Sequence, residues 1–169
     1  IGPSSKDLAR IQLFGLWNAG VRIGAAATTD GPVHSIIGSE RTYVRADKLT
    51  AEAMLDGVRH HRTIGVEGPN FAAISIGEAG PGDTVIPGEH ELLINAHALQ
   101  GLDVIQVIVD GEIVASIAGD GRNHYEGTFP ISLEPGSYVS IIARDTTRHG
   151  IAIPTAIFAE GGTTSDKYT

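Results

Sequence analysis

The sequence predicts a mixed α and β fold, in which a short portion with alternating helices and strands precedes an antiparallel β-sandwich of about seven strands. Helix-like and strand-like patterns alternate as far as Gly68-Pro69. Beyond this point, short β-type runs are separated by Gly, Pro, Asp and Asn. We therefore divide the chain into an α/β portion over residues 1–69, a β domain over residues 70–160 and a flexible tail over residues 161–169.

The first portion opens with a predicted amphipathic helix over residues 4–18, where apolar side chains recur at helical intervals. A run of small and apolar residues follows over residues 21–27, which is typical of a buried parallel strand. This run ends in Thr28-Thr29-Asp30. The pattern indicates an α-to-β unit with a carboxylate at the carboxyl end of its strand.

A second strand and helix are predicted downstream. Residues 41–45 have a strand-like pattern, and Thr50 stands at the N-cap position of a helix that ends near His60-His61. Adjacent helical residues point about 100° apart, so two neighbouring histidines rarely share one metal ion. We interpret the pair as cations that the helix C-terminus favours.

The β domain is predicted from runs with β-type composition. Asp110-Gly111 lies between two such runs and has the composition of a type I′ hairpin turn, which needs positive φ at both central residues. Over residues 91–98 the side chains alternate as expected for a sheet with one face in solvent. The predicted strands cover residues 71–76, 91–98, 104–109, 112–118, 125–133, 137–144 and 152–158.

Composition and charge argue against several classes of protein. The 12 basic and 20 acidic residues give a net charge of -8, and the basic residues are scattered. A protein that neutralises nucleic-acid phosphates needs a clustered basic face. No apolar run approaches the ~20 residues that span a bilayer. We therefore expect neither nucleic acid nor a membrane as a partner, while the cellular compartment stays open.

Asp30 and His34 are the candidate metal ligands. The chain has no cysteine, so a metal ion would depend on His and carboxylate ligands. Metal-binding carboxylates of α/β barrels lie at the carboxyl ends of strands, and a neutral imidazole four residues later could join one. In the alternative interpretation, Asp30 begins a turn and His34 is a solvated loop residue. The histidines of the β domain lack ligand-type spacing and are interpreted as surface residues: His90, His97, His124 and His149.

Several motifs follow one another over residues 13–69. They are Leu16-Trp17-Asn18-Ala19-Gly20, Ala27-Thr28-Thr29-Asp30, Gly38-Ser39-Glu40-Arg41-Thr42-Tyr43-Val44, Leu49-Thr50-Ala51-Glu52-Ala53-Met54-Leu55 and Arg62-Thr63-Ile64-Gly65-Val66-Glu67-Gly68-Pro69. In this order they resemble the end of the catalytic barrel of the PHP (polymerase and histidinol phosphatase) superfamily, in its CehA/McbA, carbaryl-hydrolase-like branch.

The resemblance implies hydrolysis of an ester-type bond by divalent metal ions, such as manganese, zinc or iron, that generate a hydroxide. Asp30 matches the signature acid and is implied as a metal ligand. The signature histidine stands two positions after that acid, where this sequence has Pro32, and His34 would take its place. Arg41, in the third motif, is implied as a substrate-binding residue. The other ligands would come from upstream strands.

Three functions are compatible with these observations. The first is the C-terminal portion of a metal-dependent hydrolase, of phosphoesterase or carboxyl/carbamate esterase type, which acts on a small-molecule ester and is inactive alone. The second is a non-catalytic β-sandwich that binds carbohydrate or a protein, although aromatic residues are scarce. The third is a structural domain that caps or oligomerises the enzyme.

The first function makes a prediction about partners. An isolated barrel end exposes apolar surface, which favours association with the N-terminal part of the same protein or with a second copy. The divalent metal would belong to the complete enzyme, so this chain alone need not bind one. The residues expected to contact the N-terminal part are Leu13, Phe14, Trp17 and Ile23.

Overall fold

A computed structural model describes residues 5–29, 38–68, 70–147 and 149–161, with side chains from residue 10 onwards. Within these residues the chain folds into helices and, mostly, strands. The elements are α1 (Ser5–Asn18), β1 (Glu40–Val44), α2 (Ala51–Arg59), β2 (Thr63–Glu67), β3 (Asn70–Ser75), β4 (Thr84–Val85), β5 (Gly88–Ala98), β6 (Leu102–Val109), β7 (Glu112–Ala118), β8 (His124–Leu133), β9 (Tyr138–Asp145), β10 (Ile151–Pro154) and β11 (Ile157–Ala159).

The strands form two sheets that pack face to face. The large sheet has the order β1-β2-β10-β9-β11-β4, with β6 also paired to β9 and β7 paired to β6. The small sheet has the order β3-β5-β8. Side chains from both sheets, among them Val66, Ile94 and Ile141, are fully buried in one core between them. The prediction of a mixed α and β fold with antiparallel sheets is confirmed.

Most predicted elements lie where the sequence placed them. The first helix, the Thr50-capped helix and the strand at β1 are present, and the Thr50 hydroxyl accepts a hydrogen bond from Ala53 N at 3.3 Å. The hairpin turn has the predicted positive φ, 51° at Asp110 and 85° at Gly111. The last predicted strand, over residues 152–158, was wrong as one element, because Thr155 and Ala156 separate β10 from β11.

Strand β2 joins the first portion of the chain to the β domain. It pairs with β1 on one side and with β10 on the other, both antiparallel. Its Ile64 and Val66 side chains lie in the shared core. The boundary that the sequence predicts between residues 69 and 70 therefore does not mark a break in the large sheet.

Residues 21–29 form no strand, so the prediction of a strand over residues 21–27 was wrong. The segment instead lies on the outer face of the large sheet, where a Cβ at Gly65 would come within 3.1 Å of the Ala26 backbone. Threonine hydroxyls accept the hydrogen bonds that a neighbouring strand would otherwise accept. Ala25 N donates to Thr155 Oγ1 at 2.8 Å, and Ala27 N donates to Thr42 Oγ1 at 3.0 Å. The small, apolar composition reflects close packing rather than strand pairing.

Helix α1 covers the same outer face. The Trp17 side chain is 1% exposed, and its ring lies 5.4 Å from that of Tyr138 and 6.2 Å from that of Phe158 between centroids. Its indole N–H donates to Ile23 O at 3.0 Å. Leu13, Phe14 and Ile23 pack around it, so the residues that we expected to contact an N-terminal part have packing partners within this chain.

Candidate functional site

The candidate ligands Asp30 and His34 lie outside the described residues, but both flanks of their segment are described. The Thr29 hydroxyl donates to Glu40 O at 3.1 Å and accepts from Gly38 N at 3.3 Å. Thr29 and Gly38 are thereby held together at the start of β1. The residues on either side of the candidate segment, Thr29 and Gly38, therefore lie at one place on the sheet.

A cleft of about 810 Å³ lies beside these flanks, between α1, residues 23–28 and the outer face of the large sheet. Thr28 and Glu40, next to the candidate segment, line the cleft. Apolar side chains form most of the remaining wall, and polar groups lie among them. The further lining side chains include Leu13, Leu16, Ile151, Ile153, Arg10 and Glu67.

Arg10 is the cationic group of the cleft. Burial lowers the pKa of its guanidinium, the nearby Arg144 lowers this pKa further, and Glu67 opposes both effects by raising it. An arginine stays protonated in proteins, so the shift reports a desolvated charge rather than a titration near neutral pH. The cleft therefore places a partly buried cation beside a carboxylate.

Within the described residues, the segment over residues 23–28 uses only some of its main-chain N–H and C=O groups in hydrogen bonds. The bonded groups belong to alternate residues. Ile23 O accepts from Trp17, Ala25 N donates to Thr155, and Ala27 bonds to Thr42 through both its N–H and its carbonyl oxygen. In the chain that the structure describes, no hydrogen bond is found for the main chain of Gly24, Ala26 or Thr28. All three residues line the cleft.

Arg41, the candidate substrate-binding residue, is half-buried on β1. Its Nη1 donates to Gly38 O at 2.6 Å, its Nη2 to Gly68 O at 2.8 Å and its Nε to the Tyr43 hydroxyl at 3.0 Å. The guanidinium thus joins the turn before β1 to the end of β2. Its role in substrate binding stays a prediction.

A second polar cluster lies on the outer face of the small sheet, which faces away from α1. His97 on β5 and His124 on β8 are register partners, and their rings are stacked with centroids 4.3 Å apart and an interplanar angle of 17°. Glu126 Oε2 lies 3.8 Å from His124 Nε2 and accepts from Asn95 Nδ2 at 3.3 Å. Sequence reasoning missed this cluster because its members meet only through the β5–β8 register.

A groove of about 560 Å³ runs beside the edge of β1, with Tyr43 and Phe71 in its wall. The rings of these two residues make an edge contact, 5.5 Å between centroids. Arg45 and Arg62 also line the groove, and both lie near Asp83, with closest N–O distances of 3.5 and 3.7 Å. Arg62 Nη1 also lies 3.6 Å from Asp56 Oδ2, so each of the two cations has a carboxylate nearby.

The described residues contain neither a group of metal ligands nor a membrane-spanning helix. Of the side chains that the structure describes, no three from His, Asp and Glu are grouped as a set of metal ligands. No helix in these ranges is both long enough and apolar enough to cross a membrane.

Comparison with known proteins finds no matching family model, no matching curated protein and no matching solved structure.

Proposed function

We propose that this chain is the C-terminal portion of a metal-dependent hydrolase of the PHP type, which acts on a small-molecule phosphoester, carboxyl ester or carbamate. Asp30 contributes a ligand to the metal cluster, and the β-sandwich is a non-catalytic support. The ordered motifs over residues 13–69 support the proposal. The N-terminal part of the same protein supplies the remaining ligands and is the main partner.

The observation that carries the proposal is the open side of the segment that precedes Asp30. A strand inside a parallel barrel pairs with a neighbour on each side, and its catalytic groups follow its carboxyl end. Here Gly24, Ala26 and Thr28 have no main-chain partner in the described residues and face a cleft of about 810 Å³. Two residues after Thr28 comes Asp30. In this proposal, an upstream segment of the same protein fills the cleft and bonds to these main-chain groups.

The donor types suit the proposed chemistry. Asp30 and His34 offer a carboxylate oxygen and an imidazole nitrogen, which suit manganese, zinc and iron. Glu40, at the start of β1, also lines the cleft. When bound, such ions generate a hydroxide and polarise the substrate oxygen.

Arg41 orients the substrate in this proposal. A guanidinium has five N–H donors in a rigid fork. Three Arg41 donors are engaged by Gly38, Tyr43 and Gly68, which fixes the plane of the group. In the proposal, its other N–H groups donate to an ester or phosphoryl oxygen of the substrate.

The test is calorimetric titration of Mn²⁺, Zn²⁺ and Fe²⁺ into the chain and into an Asp30→Ala variant. We expect micromolar binding of Mn²⁺ that weakens by about tenfold or more in the variant, since loss of one ligand removes at least as much affinity as loss of a supporting residue. An Asp47→Ala variant, which removes an exposed acid elsewhere, is the matched control and should bind as the wild type does.

Equal Mn²⁺ affinity in the wild type and the Asp30→Ala variant would remove Asp30 from the ligand set. Absence of Mn²⁺ binding in the wild type would favour the alternative, a non-catalytic β-sandwich module. Circular dichroism of both variants separates loss of a ligand from loss of the fold.

A further inference from the structure

Strand β7 is an edge of the large sheet, and in the described residues it has a neighbour on one side only. It pairs with β6, and no hydrogen bond to its main chain is found from any other described group. An edge strand presents a row of N–H and C=O groups with which a strand of another chain can pair. Strand β7 therefore offers main-chain hydrogen bonds that the described part of the chain does not use.

Other edge strands carry features that oppose such pairing. Strand β1 carries the charged residues Glu40 and Arg41, β8 carries Glu126 and Pro130, and β4 has only two residues. Charged side chains, proline and short length all keep the edges of sheets from pairing with other chains. Strand β7 has the sequence Glu-Ile-Val-Ala-Ser-Ile-Ala, with one charge at its first residue and no Pro, Lys or Arg. Its composition therefore permits pairing with another chain.

A β-bulge limits the regular part of this edge. Val107 and Ile108 of β6 pair with Ala115 and Ile113, so Val114 is the extra residue of the bulge. A bulge bends its strand and increases the local twist. Beyond it, residues 115–118 stay in regular register with β6. We therefore expect residues 115–118 to carry any pairing, with the half-exposed Ile113 and Val114 at its margin.

We propose that β7 pairs antiparallel with β7 of a second copy of this chain, with Ser116 opposite Ser116 of that copy. Two identical strands that pair antiparallel are related by a two-fold axis, which is the commonest symmetry of protein dimers. The large sheets of the two copies then join as one continuous sheet. This dimer does not depend on the proposed hydrolase function.

The sequence of β7 is complementary to itself in this register. Ala115 lies opposite Ile117 of the second copy, and both side chains pack at the margin of the core, where they are partly buried. Ser116 lies on the exposed side of the strand, where its hydroxyl faces that of the second copy. Apolar pairs and hydroxyl pairs stabilise a sheet, whereas like charges directly opposite each other destabilise it. Glu112, the only charged residue of β7, lies outside residues 115–118, so no like charges face each other within them.

The small contact area determines how strong this dimer is. Stable, specific interfaces bury about 1,200–2,000 Å² of total surface, and pairing through one short strand buries less. We therefore expect a dimer that exchanges with the monomer and whose population rises with protein concentration.

Sedimentation velocity over a concentration series tests the proposal. We expect the wild type to shift from monomer to dimer as its concentration rises. Ser116→Lys places like charges opposite each other at the centre of the interface, so the dissociation constant should rise by about tenfold or more. Ser132→Lys is the matched control, because Ser132 is exposed on β8, an edge strand of the small sheet. It should dimerise as the wild type does.

A cysteine cross-link tests the register. The chain has no cysteine, so Ser116→Cys introduces a single thiol. Directly opposite residues keep their Cβ atoms about 4.5–5.5 Å apart, close to the roughly 3.5–4.5 Å that a disulfide requires. On mild oxidation, Ser116→Cys should therefore form a covalent dimer faster than Ser132→Cys does at the same concentration.

Three results would overturn the proposal. They are a wild type that stays monomeric across the whole series, a dimer that is unaffected by Ser116→Lys, and equal cross-linking of the two cysteine variants. Association through the cleft beside α1 would persist in Ser116→Lys, so it gives the second of these results. Asp30-dependent Mn²⁺ binding is measured separately, so this proposal and the proposed hydrolase function can each fail alone.

Discussion

The two sheets share one core but differ in what lies on their outer faces. Helix α1 and residues 21–29 pack on the outer face of the large sheet, and there Trp17 is almost fully buried. The outer face of the small sheet is open to solvent and carries Asn95, His97 and Glu126. Strand β9 is buried at nearly every position, whereas β5 alternates between buried and exposed residues. The outer face of the large sheet therefore packs against another part of the chain, and the outer face of the small sheet is exposed to solvent.

The largest expected effect is at the covered face. Trp17→Ala should lower the free energy of unfolding by about 3–5 kcal/mol, because the cavity left against Tyr138 and Phe158 adds to the lost burial. Urea unfolding followed by circular dichroism measures this. Leu93→Ala on the open face, where the side chain is 41% exposed, is the control and should cost about 1 kcal/mol or less. Similar losses in both variants would mean that α1 does not cover the sheet.

A smaller effect is expected where threonine hydroxyls hold residues 21–29 on the sheet. Thr155 is fully buried, and its hydroxyl accepts from Ala25 N at 2.8 Å and lies 3.0 Å from Thr63 Oγ1. Thr155→Val should cost about 1–3 kcal/mol, because it leaves the buried Ala25 N–H without an acceptor. Thr155→Ser keeps the hydroxyl and should retain most of the stability.

Hydrogen exchange gives a local check on the same bond. The Ala25 amide should exchange faster in Thr155→Val than in Thr155→Ser. Equal exchange of this amide in both variants would show that the hydroxyl does not hold the segment.

The smallest effect has the opposite sign. Gly15 is exposed on α1, and a Cβ there would meet no described atom within 4 Å. Gly15→Ala should raise the free energy of unfolding by about 0.5–1 kcal/mol, because alanine loses less backbone entropy in a helix. The gain appears in global unfolding only if α1 unfolds together with the sheets. Thermal unfolding that leaves the midpoint unchanged would show that α1 frays independently.

Much of the fold could be predicted from local patterns. Period-two alternation identified β5, the Asp110-Gly111 pair identified the hairpin of β6 and β7, and Thr50 identified the start of α2. The prediction of a strand over residues 21–27 was wrong because a small, apolar run indicates burial but not its cause. These residues are close to a sheet face and do not pair within a sheet. The break at Thr155 was missed because apolar composition continues across it.

The candidate site residues also differ in whether a continuous stretch of sequence identifies them. Asp30, His34 and Arg41 were identified from motifs in a continuous stretch of sequence, which a local reading can detect. His97 and His124 were treated as surface residues because neither has a ligand-type neighbour in sequence. Their proximity depends on the register of β5 with β8, which are not consecutive strands. No local pattern encodes such a register.

The position of β2 between β1 and β10 also constrains the order of folding during synthesis. Residues 63–67 cannot complete their hydrogen bonding until residues 151–154 have left the ribosome. At the usual elongation rate of about 5–20 residues per second, this interval lasts roughly 4–20 s. During that time Ile64 and Val66 lack part of their core, and an edge of the nascent sheet stays unpaired. A chaperone that shields apolar strands would act on this chain in that interval.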